Sequence, residues 1–127
     1  MAYLKLEDLS CYQIANTICD VVWEQVEKWD YFAKDTLGKQ YVRSVDSIVA
    51  NISEGFGRYY YLESIKFYYY ARGSVFESQF RCKKAIKSGL IAGRHGRLVL
   101  DELRKLPKEI NKIIKITRTN SKKSSNP

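Results

Sequence analysis

The chain has 127 residues, of which 45% are hydrophobic, and its formal net charge is +8 at pH 7. A chain of this length builds one domain around one core, so separate catalytic and regulatory domains are not expected. No apolar run approaches the roughly 18 residues of a membrane span, and the start, Met1-Ala2-Tyr3-Leu4-Lys5, lacks the basic-then-apolar order of a signal peptide. These features predict a cytoplasmic protein with no membrane partner.

The three cysteines agree with a reducing compartment. Cys11 and Cys19 would lie about 12 Å apart along a helix, which is too far for a disulfide. The odd number of cysteines, with Cys82 as the third, leaves a free thiol in any pairing scheme. We expect reduced cysteines that pack as small hydrophobic residues.

Hydrophobic residues three and four positions apart predict four helices. The first is capped by Asp8 or Ser10 and runs to about Trp29, and residues 30–36 connect it to the second. The second helix carries one apolar stripe, which buries a face against neighbouring helices. Its residues are Leu37, Tyr41, Val45, Ile48, Ile52 and Phe56.

The apolar run of the second helix stops at two glycines, Gly55 and Gly57. Glycine reaches positive φ without a Cβ clash, so either residue fits the C′ position that ends a helix before the chain reverses. The helical pattern then restarts at Tyr61. The segment therefore predicts a helical hairpin.

The third predicted helix runs from Tyr61 to Ser88, and its apolar positions are Ile65, Tyr68, Tyr69, Val75, Phe76, Phe80 and Ile86. A loop over residues 90–96 follows. The fourth predicted helix has apolar residues three or four apart, at Leu103, Leu106, Ile110, Ile113 and Thr117. Together the four segments predict an all-α fold.

Pro107 interrupts the fourth helix, because it removes a backbone donor and crowds the preceding turn. We expect the helix to be kinked or broken there. Residues 118–127 have a Ser, Asn and Lys composition with no apolar anchor, which predicts a disordered basic tail. The predicted architecture is an antiparallel up-down-up-down four-helix bundle over residues 1–117, followed by that tail.

Ten tyrosines include two runs of three, at residues 59–61 and 68–70. Three consecutive residues on a helix point in three directions, so they cannot all enter one core. Three interpretations remain open: tyrosines that cover the bundle with hydroxyls at its rim, a subunit interface, or a surface on which bases stack.

Three blocks of sequence point to a known family. They are Gln40-x-x-Arg43-Ser44-x-x-Ser47-Ile48, then Ala50-Asn51-Ile52-x-Glu54-Gly55-Phe56-Gly57-Arg58, and then Phe67 followed by Ala71-Arg72-Gly73-Ser74. With these blocks, over residues 4–117, the chain resembles the 23S rRNA intervening-sequence proteins, which are small four-helix bundles with a likeness to ribosomal proteins. The resemblance implies assembly into a homo-oligomeric ring, a pentamer, with no established enzymatic activity. Genes of this family can lie inside insertions in ribosomal RNA, which implies a connection with RNA.

Polar residues near the predicted hairpin suggest a structural cluster. A helix that ends at the glycines would break the surface pairing of Glu54 with Arg58 and leave Glu54 free to meet Arg72 on the next helix. We expect Asn51, Glu54, Arg58 and Arg72 to fix the hairpin or to join two subunits, with a ligand site as the alternative. Gly73 costs about 1 kcal/mol relative to Ala in a helix, so it predicts a close helix or subunit approach.

The first and third connections of an up-down-up-down bundle share one end. That end collects basic residues, whereas Glu7, Asp8, Glu54 and Glu63 lie near the other, so we expect an electrostatically lopsided protomer. A basic end suits a phosphate backbone, although a solvated helix end is the alternative. The predicted nucleic-acid-binding residues are Lys39, Arg81, Lys83, Lys84, Lys87, Arg94 and Arg97, with Lys28 and Lys34 nearby.

Catalysis finds little support in the sequence. His95 is the only histidine, and no Glu-x-x-His pair is present to build a carboxylate metal site. The glycines around it do not match a phosphate-binding loop, and the cysteines have no base nearby in sequence. We therefore expect no enzymatic activity, no metal and no cofactor.

Two function classes remain. The first is a nucleic-acid-associated homo-oligomer that contacts RNA mainly through backbone charge. The second is a structural or adaptor ring that binds a protein partner through its tyrosine-rich surface. A helix-turn-helix DNA reader is disfavoured, because the predicted helices are long and antiparallel.

Overall fold

The computed structural model describes residues 4–124, and the side chains of residues 4–121. This part of the chain forms four long helices and no strand. We name them α1 (Ser10–Glu27), α2 (Lys39–Phe56), α3 (Tyr61–Lys87) and α4 (Gly93–Ser124), and a 3-10 turn at Leu6–Asp8 precedes them. The predicted all-α, four-helix architecture is confirmed.

Each helix packs against two neighbours in the order α1, α2, α3, α4 and back to α1. Neighbouring helices run in opposite directions, because residue numbers fall on one helix as they rise on the next. Between α3 and α4, the Arg72 side chain reaches Asn111 and that of Gln79 reaches Leu103. Two more interfaces show the same inverse order. Cys19 contacts Val45, and Val26 contacts Gly38 just before α2, whereas between α2 and α3 Ser47 contacts Ser74 and Gly55 contacts Tyr68.

The predicted stripe of the second helix is buried from Leu37 to Ile52, and Phe56 packs at its edge. The predicted apolar positions of the fourth helix, Leu103 to Thr117, are buried as well. On α3 the prediction is wrong at Tyr69, Phe76 and Phe80, which are exposed. The buried stripe of α3 is built largely from small residues spaced three and four apart, namely Ala71, Val75, Ser78, Cys82 and Ala85.

The chain around the first connection is more helical than the sequence predicts. Neither Asp8 nor Ser10 caps α1, because Leu9 occupies the N-cap position, and α1 ends at Glu27. Residues 30–36 are not a simple connection. Asp30 accepts a hydrogen bond from the Ala33 amide at 2.9 Å, which starts a helical turn at Tyr31–Ala33, and a π-helical turn at Lys34–Gly38 then leads into α2.

The hairpin forms at Gly55 and Gly57 as predicted, but neither glycine has the predicted positive φ. Gly55 lies inside α2 and Gly57 has a φ of −82°, so neither adopts the left-handed conformation. A Cβ on Gly55 would lie 2.8 Å from the Tyr68 ring and 3.0 Å from the Ser64 carbonyl oxygen, so Gly55 instead allows α3 to approach closely. In the described residues, positive φ occurs at Gly89 alone, at 74°, directly after α3.

Pro107 lies inside α4 without dividing it into two helices. Proline has no amide hydrogen to donate to the carbonyl four residues earlier, here that of Leu103. The Gln79 Nε2 amide on α3 donates to that oxygen at 3.3 Å instead. This contact supplies the donor that Pro107 removes, and the predicted kink stays a prediction.

The last helix extends beyond its predicted limits at both ends. It begins at Gly93 rather than after residue 96, and it continues to Ser124, so Arg118 does not begin a disordered tail. Thr117 is buried and Arg118 bonds to the Tyr69 hydroxyl oxygen at 3.2 Å, which anchors this last part to α3. Residues 125–127 and the side chains of Lys122 and Lys123 lie outside the described part. Within that part, no helix combines the length and the apolar character of a bilayer-spanning segment.

Candidate nucleic-acid interface

The first and third connections lie at the same end of the bundle, as the sequence predicts. Lys28 and Trp29 line a small pocket together with Leu90 and His95. The end of α3, the start of α4 and the segment that enters α2 therefore meet at this end, which we call the basic end.

The last turns of α3 place three lysines side by side. Lys83, Lys84 and Lys87 are exposed, and together with Phe80 they line a shallow groove. Within the described residues, their side chains form no hydrogen bond or ion pair. Three adjacent cations are therefore open to an anionic partner at a helix C-terminus, where basic residues also suit the helix dipole.

Arg81 lies beside these lysines in a more enclosed position. Its guanidinium carbon lies 5.1 Å from the centre of the Phe80 ring, and its Nη2 lies 3.8 Å from a Glu77 carboxylate oxygen. Its Nε is buried and has no hydrogen-bond partner among the described residues. Weak contacts therefore hold the Arg81 side chain in place, and its guanidinium still has N–H groups that could donate hydrogen bonds to a ligand.

The remaining predicted cations are divided between two sides of the basic end. Arg94 and Arg97 are exposed on the first turns of α4. Lys39 bonds to Asp35 at 2.7 Å, which raises the pKa of Lys39, and it lines a different groove with Trp23 and Arg43. The structure therefore groups Arg81 with the three lysines and places Lys39 apart.

A cleft of about 490 Å³ separates the segment that enters α2 from the end of α3. Phe32 and Phe80 line it with exposed rings, at 77% and 55% exposure. Its polar and basic lining comes from Thr36, Gln40, Arg81 and Lys84. The cleft therefore brings aromatic, polar and basic side chains together.

Sequence reasoning missed both phenylalanines as surface residues. Phe32 was placed in a connection, and Phe80 in the apolar set of the third helix. The exposure of Phe80 could have been inferred from the regular spacing of Val75, Ser78 and Cys82. These small residues form the buried stripe, and Phe80 does not lie on it. Asp30, which can cap a helix, is the signal that Phe32 lies in a helical turn, and that turn begins at Tyr31.

The predicted polar cluster at the hairpin does not form within one chain. Glu54 pairs with Arg58, because α2 continues through Gly55 and keeps the four-residue spacing that brings the two together. Arg72 instead donates to the Asn111 side-chain oxygen at 2.7 Å. A role for these residues in joining subunits stays a prediction.

Asn51 also turns away from the charged residues of the predicted cluster. Its amide donates to the Ser47 carbonyl and hydroxyl oxygens at 2.8 and 3.1 Å, and the Ser74 hydroxyl donates to Ser47 at 3.0 Å. Gly73 is exposed, and a Cβ built there would meet nothing within 4 Å. The close helix approach predicted at Gly73 is therefore wrong within the chain, and a subunit contact there stays a prediction.

Basic residues also occur at the end of the bundle near Gly57, so the predicted lopsided charge is diluted. There, several cations lie over aromatic rings. Arg58 lies 4.6 Å from the centre of the Phe67 ring, and Lys66 lies 5.7 Å from the same ring. Tyr59 and Tyr60 are exposed in the turn, whereas Tyr68 is buried. Tyr68 is the one buried member of the two tyrosine runs, and the other five tyrosines are exposed.

The cysteines are free thiols whose surroundings disfavour the reactive thiolate. Burial raises the pKa of Cys11 to about 11 and that of Cys19 to about 12, and it raises the pKa of Cys82 as well. Cys19 donates to the Val45 carbonyl and Cys82 to the Gly96 carbonyl. Across residues 4–124, no three His, Cys, Asp or Glu side chains are grouped as metal ligands.

The fold and this charged surface define a small helical-bundle protein. The chain belongs to the 23S rRNA-intervening sequence protein family, whose model matches residues 7–115. Among solved structures, it is similar to a protein of unknown function from the S23 ribosomal protein family of Bacteroides thetaiotaomicron VPI-5482, with a TM-score of 0.73 and 18% identity. That similarity covers 83% of this chain and 98% of the other, and it shows a shared fold. No curated protein sequence matches the chain significantly.

Proposed function

We propose that this protein is a non-enzymatic, homo-oligomeric helical bundle that associates with RNA in the cytoplasm through its basic end. The observation behind the proposal is the group of three exposed lysines, Lys83, Lys84 and Lys87, without partners in the described part of the chain. Family membership supports RNA as the polyanion, since the family is named for an insertion in 23S ribosomal RNA.

A lysine cluster of this kind suits a phosphate backbone. Each ammonium is a compact, hydrated charge on a flexible stem, so it follows a chain of phosphates without demanding one geometry. Each neutralised phosphate releases condensed counterions, which makes the affinity fall as salt rises. The proposal assigns the protein no catalytic step, and the raised thiol pKa values of Cys11 and Cys19 are consistent with that.

The outer face of α3 supports the homo-oligomer. Leu62, Tyr69 and Phe76 recur every seven residues and are exposed, and Gly73 lies on the same face without a side chain. Exposed apolar residues at that spacing suit packing against another helix. If the ring forms here, Gly73→Leu lowers the sedimentation coefficient while the protein stays folded. An unchanged coefficient would contradict this part of the proposal.

RNA association is tested by the affinity for a labelled structured RNA at about 50 and about 200 mM salt, beside duplex DNA of equal length. The test variant combines Lys83→Glu, Lys84→Glu, Arg94→Glu and Arg97→Glu. A control with the same charge change, at Lys5, Lys66, Lys108 and Lys115, lies toward the opposite end. The proposal predicts lost RNA binding with intact assembly for the test variant. Equal losses in both variants, or no RNA binding by the unmodified protein, would contradict it.

The second candidate is an adaptor ring that binds a protein partner. It is favoured by the exposure of Tyr59, at 86%, and Tyr60, at 65%, beside the exposed Leu62. In this case, removing the two tyrosine rings abolishes partner capture, and the basic-end charge reversals have little effect on it.

A further inference from the structure

The cleft beside the three lysines has the features of a ligand site rather than of a bare charged surface. It lies between two structural elements, the helical segment Tyr31–Gly38 and the end of α3, and it has a volume of about 490 Å³. Part of its wall is the π-helical turn Lys34–Gly38. Such turns are rare, and they occur frequently at functional sites.

Its apolar lining is aromatic and open to solvent. Phe32 and Phe80 expose 77% and 55% of their surface, although the same chain buries apolar residues along all four helices. Arg81 covers part of the Phe80 ring. Two exposed phenyl rings around one cleft provide flat apolar surface that a planar ring system could cover.

The polar lining favours an anionic ligand. Arg81 and Lys84 lie at the cleft, and Lys83 and Lys87 continue the positive charge beyond it. Asp30 is the acidic residue of the lining, and its carboxylate already accepts the hydrogen bond that starts the next helix. Gln40 adds a side-chain amide able to donate and to accept, and it has no partner in the described residues.

We propose that this cleft holds an unpaired RNA base against Phe32 and Phe80, with the neighbouring phosphates on Arg81 and Lys84. The inference rests on the proposed function and narrows its ligand to single-stranded RNA or to RNA with unpaired nucleotides. A base in an A-form duplex has both faces covered by its neighbours, and its major-groove edge lies in a deep, narrow groove. An unpaired base exposes a face that stacks on an aromatic ring.

The end of the bundle near Gly57 is a weaker candidate for the same role. Its ring faces are partly covered from within the chain, since Arg58 lies over Phe67 and Lys66 lies near both Phe67 and Tyr70. In addition, Glu54 pairs with Arg58 and reduces the charge available to phosphates. At the basic end, Arg81 covers part of the Phe80 ring, but among the described residues no cation lies over Phe32, and the three lysines are unpaired.

The test compares a labelled single-stranded RNA of about 12 nucleotides with an RNA duplex of the same length, within the range of known single-strand sites. The variant is Phe32→Ala with Phe80→Ala. Tyr31→Ala is the matched control, because Tyr31 is 81% exposed directly beside Phe32 and does not line the cleft. Both variants remove exposed rings, so thermal unfolding should change little. The variant Phe80→Trp preserves a stacking surface.

For the double variant, we expect single-strand affinity to fall by about 10- to 100-fold, the range for losing base stacking, with duplex affinity changed less than about twofold. Phe80→Trp should keep the unmodified affinity. Equal effects of the double variant and Tyr31→Ala, or parallel losses for both RNAs, would overturn the inference while RNA binding by the basic end survives. If the unmodified protein binds neither RNA, the proposed function and the inference both fail.

Discussion

The two ends of the bundle use the same residue types, aromatic rings and basic side chains, in different ways. At the end near Gly57, Arg58 pairs with Glu54 and lies over Phe67. At the basic end, Lys83 and Lys84 have no side-chain partner in the described residues. The two ends are similar in composition, and they differ in the contacts that their side chains make.

Under the proposed function, the two ends have separate tasks. Near Gly57, close packing of α2 on α3 and internal pairing of charges hold the hairpin together. At the basic end, unpaired charge and open phenyl rings are available for a ligand. A substitution near Gly57 should therefore change stability, and a substitution at the basic end should change RNA affinity.

The largest effect is expected from Lys83→Gln, Lys84→Gln and Lys87→Gln combined. Losing three phosphate contacts should reduce the slope of log affinity against log salt by about 2 and lower single-strand affinity by about 100-fold near 0.1 M salt. Fluorescence anisotropy over a salt series measures both quantities. The same change at Lys66, Lys108 and Lys115 should leave the slope within about 0.5 of the original, and equal slopes for the two variants would erase the distinction between the ends.

The next effect concerns packing at the hairpin. Gly55→Val places a side chain against the Tyr68 ring, which lies 2.8 Å from the Cβ position, and overpacking of this kind should lower the free energy of unfolding by about 2 kcal/mol. Urea denaturation measures the loss. Gly57→Val is the control, because its nearest neighbour beyond the adjoining residues is 3.6 Å away. If both substitutions cost the same, close approach at Gly55 is not what stabilises the hairpin.

A smaller effect is expected at the contact of Gln79 with the Leu103 carbonyl, which lies between the two ends. Gln79→Ala leaves the Leu103 carbonyl without its side-chain donor and should cost about 1 kcal/mol of unfolding free energy. Pro107→Ala restores the amide hydrogen that normally serves this oxygen, so in that background the cost of Gln79→Ala should shrink. A double-mutant cycle by urea denaturation measures the coupling, and strict additivity would rule out this account of Pro107.

The smallest effect is expected at the exposed pair near Gly57. Glu54→Gln removes the partner of Arg58, and exposed pairs four residues apart contribute about 0.3–0.5 kcal/mol. RNA affinity should rise less than about twofold, since one released arginine adds at most one phosphate contact. A rise of tenfold or more would show that the end near Gly57 also binds RNA.

The apolar spacing predicts the four helices correctly, and it predicts the core where large residues carry the pattern, as at Tyr41 and Leu103. It fails on α3, because small residues such as Ala71 form the buried stripe while Phe76 and Phe80 face outward. Helix propensity and spacing describe one helix at a time. Which face packs inward depends on how closely the neighbouring helices approach.

The basic cluster on α3 was predictable because it lies within seven residues of one helix. The cleft was not, since it brings Phe32 and Phe80 together from distant parts of the sequence. The charged cluster predicted at the hairpin does not form within one chain. The prediction assumed that a helix ending at the glycines breaks the pairing of Glu54 with Arg58, whereas α2 continues to Phe56 and the pair forms.

The most direct test of the two-ended account is photo-crosslinking of the full chain to a single-stranded RNA containing 4-thiouridine, with the crosslinked peptides identified by mass spectrometry. The account predicts crosslinks in peptides that contain Phe32 and Phe80. Crosslinks concentrated between Tyr59 and Tyr70, with none at Phe32 or Phe80, would contradict it and move RNA binding to the opposite end of the bundle.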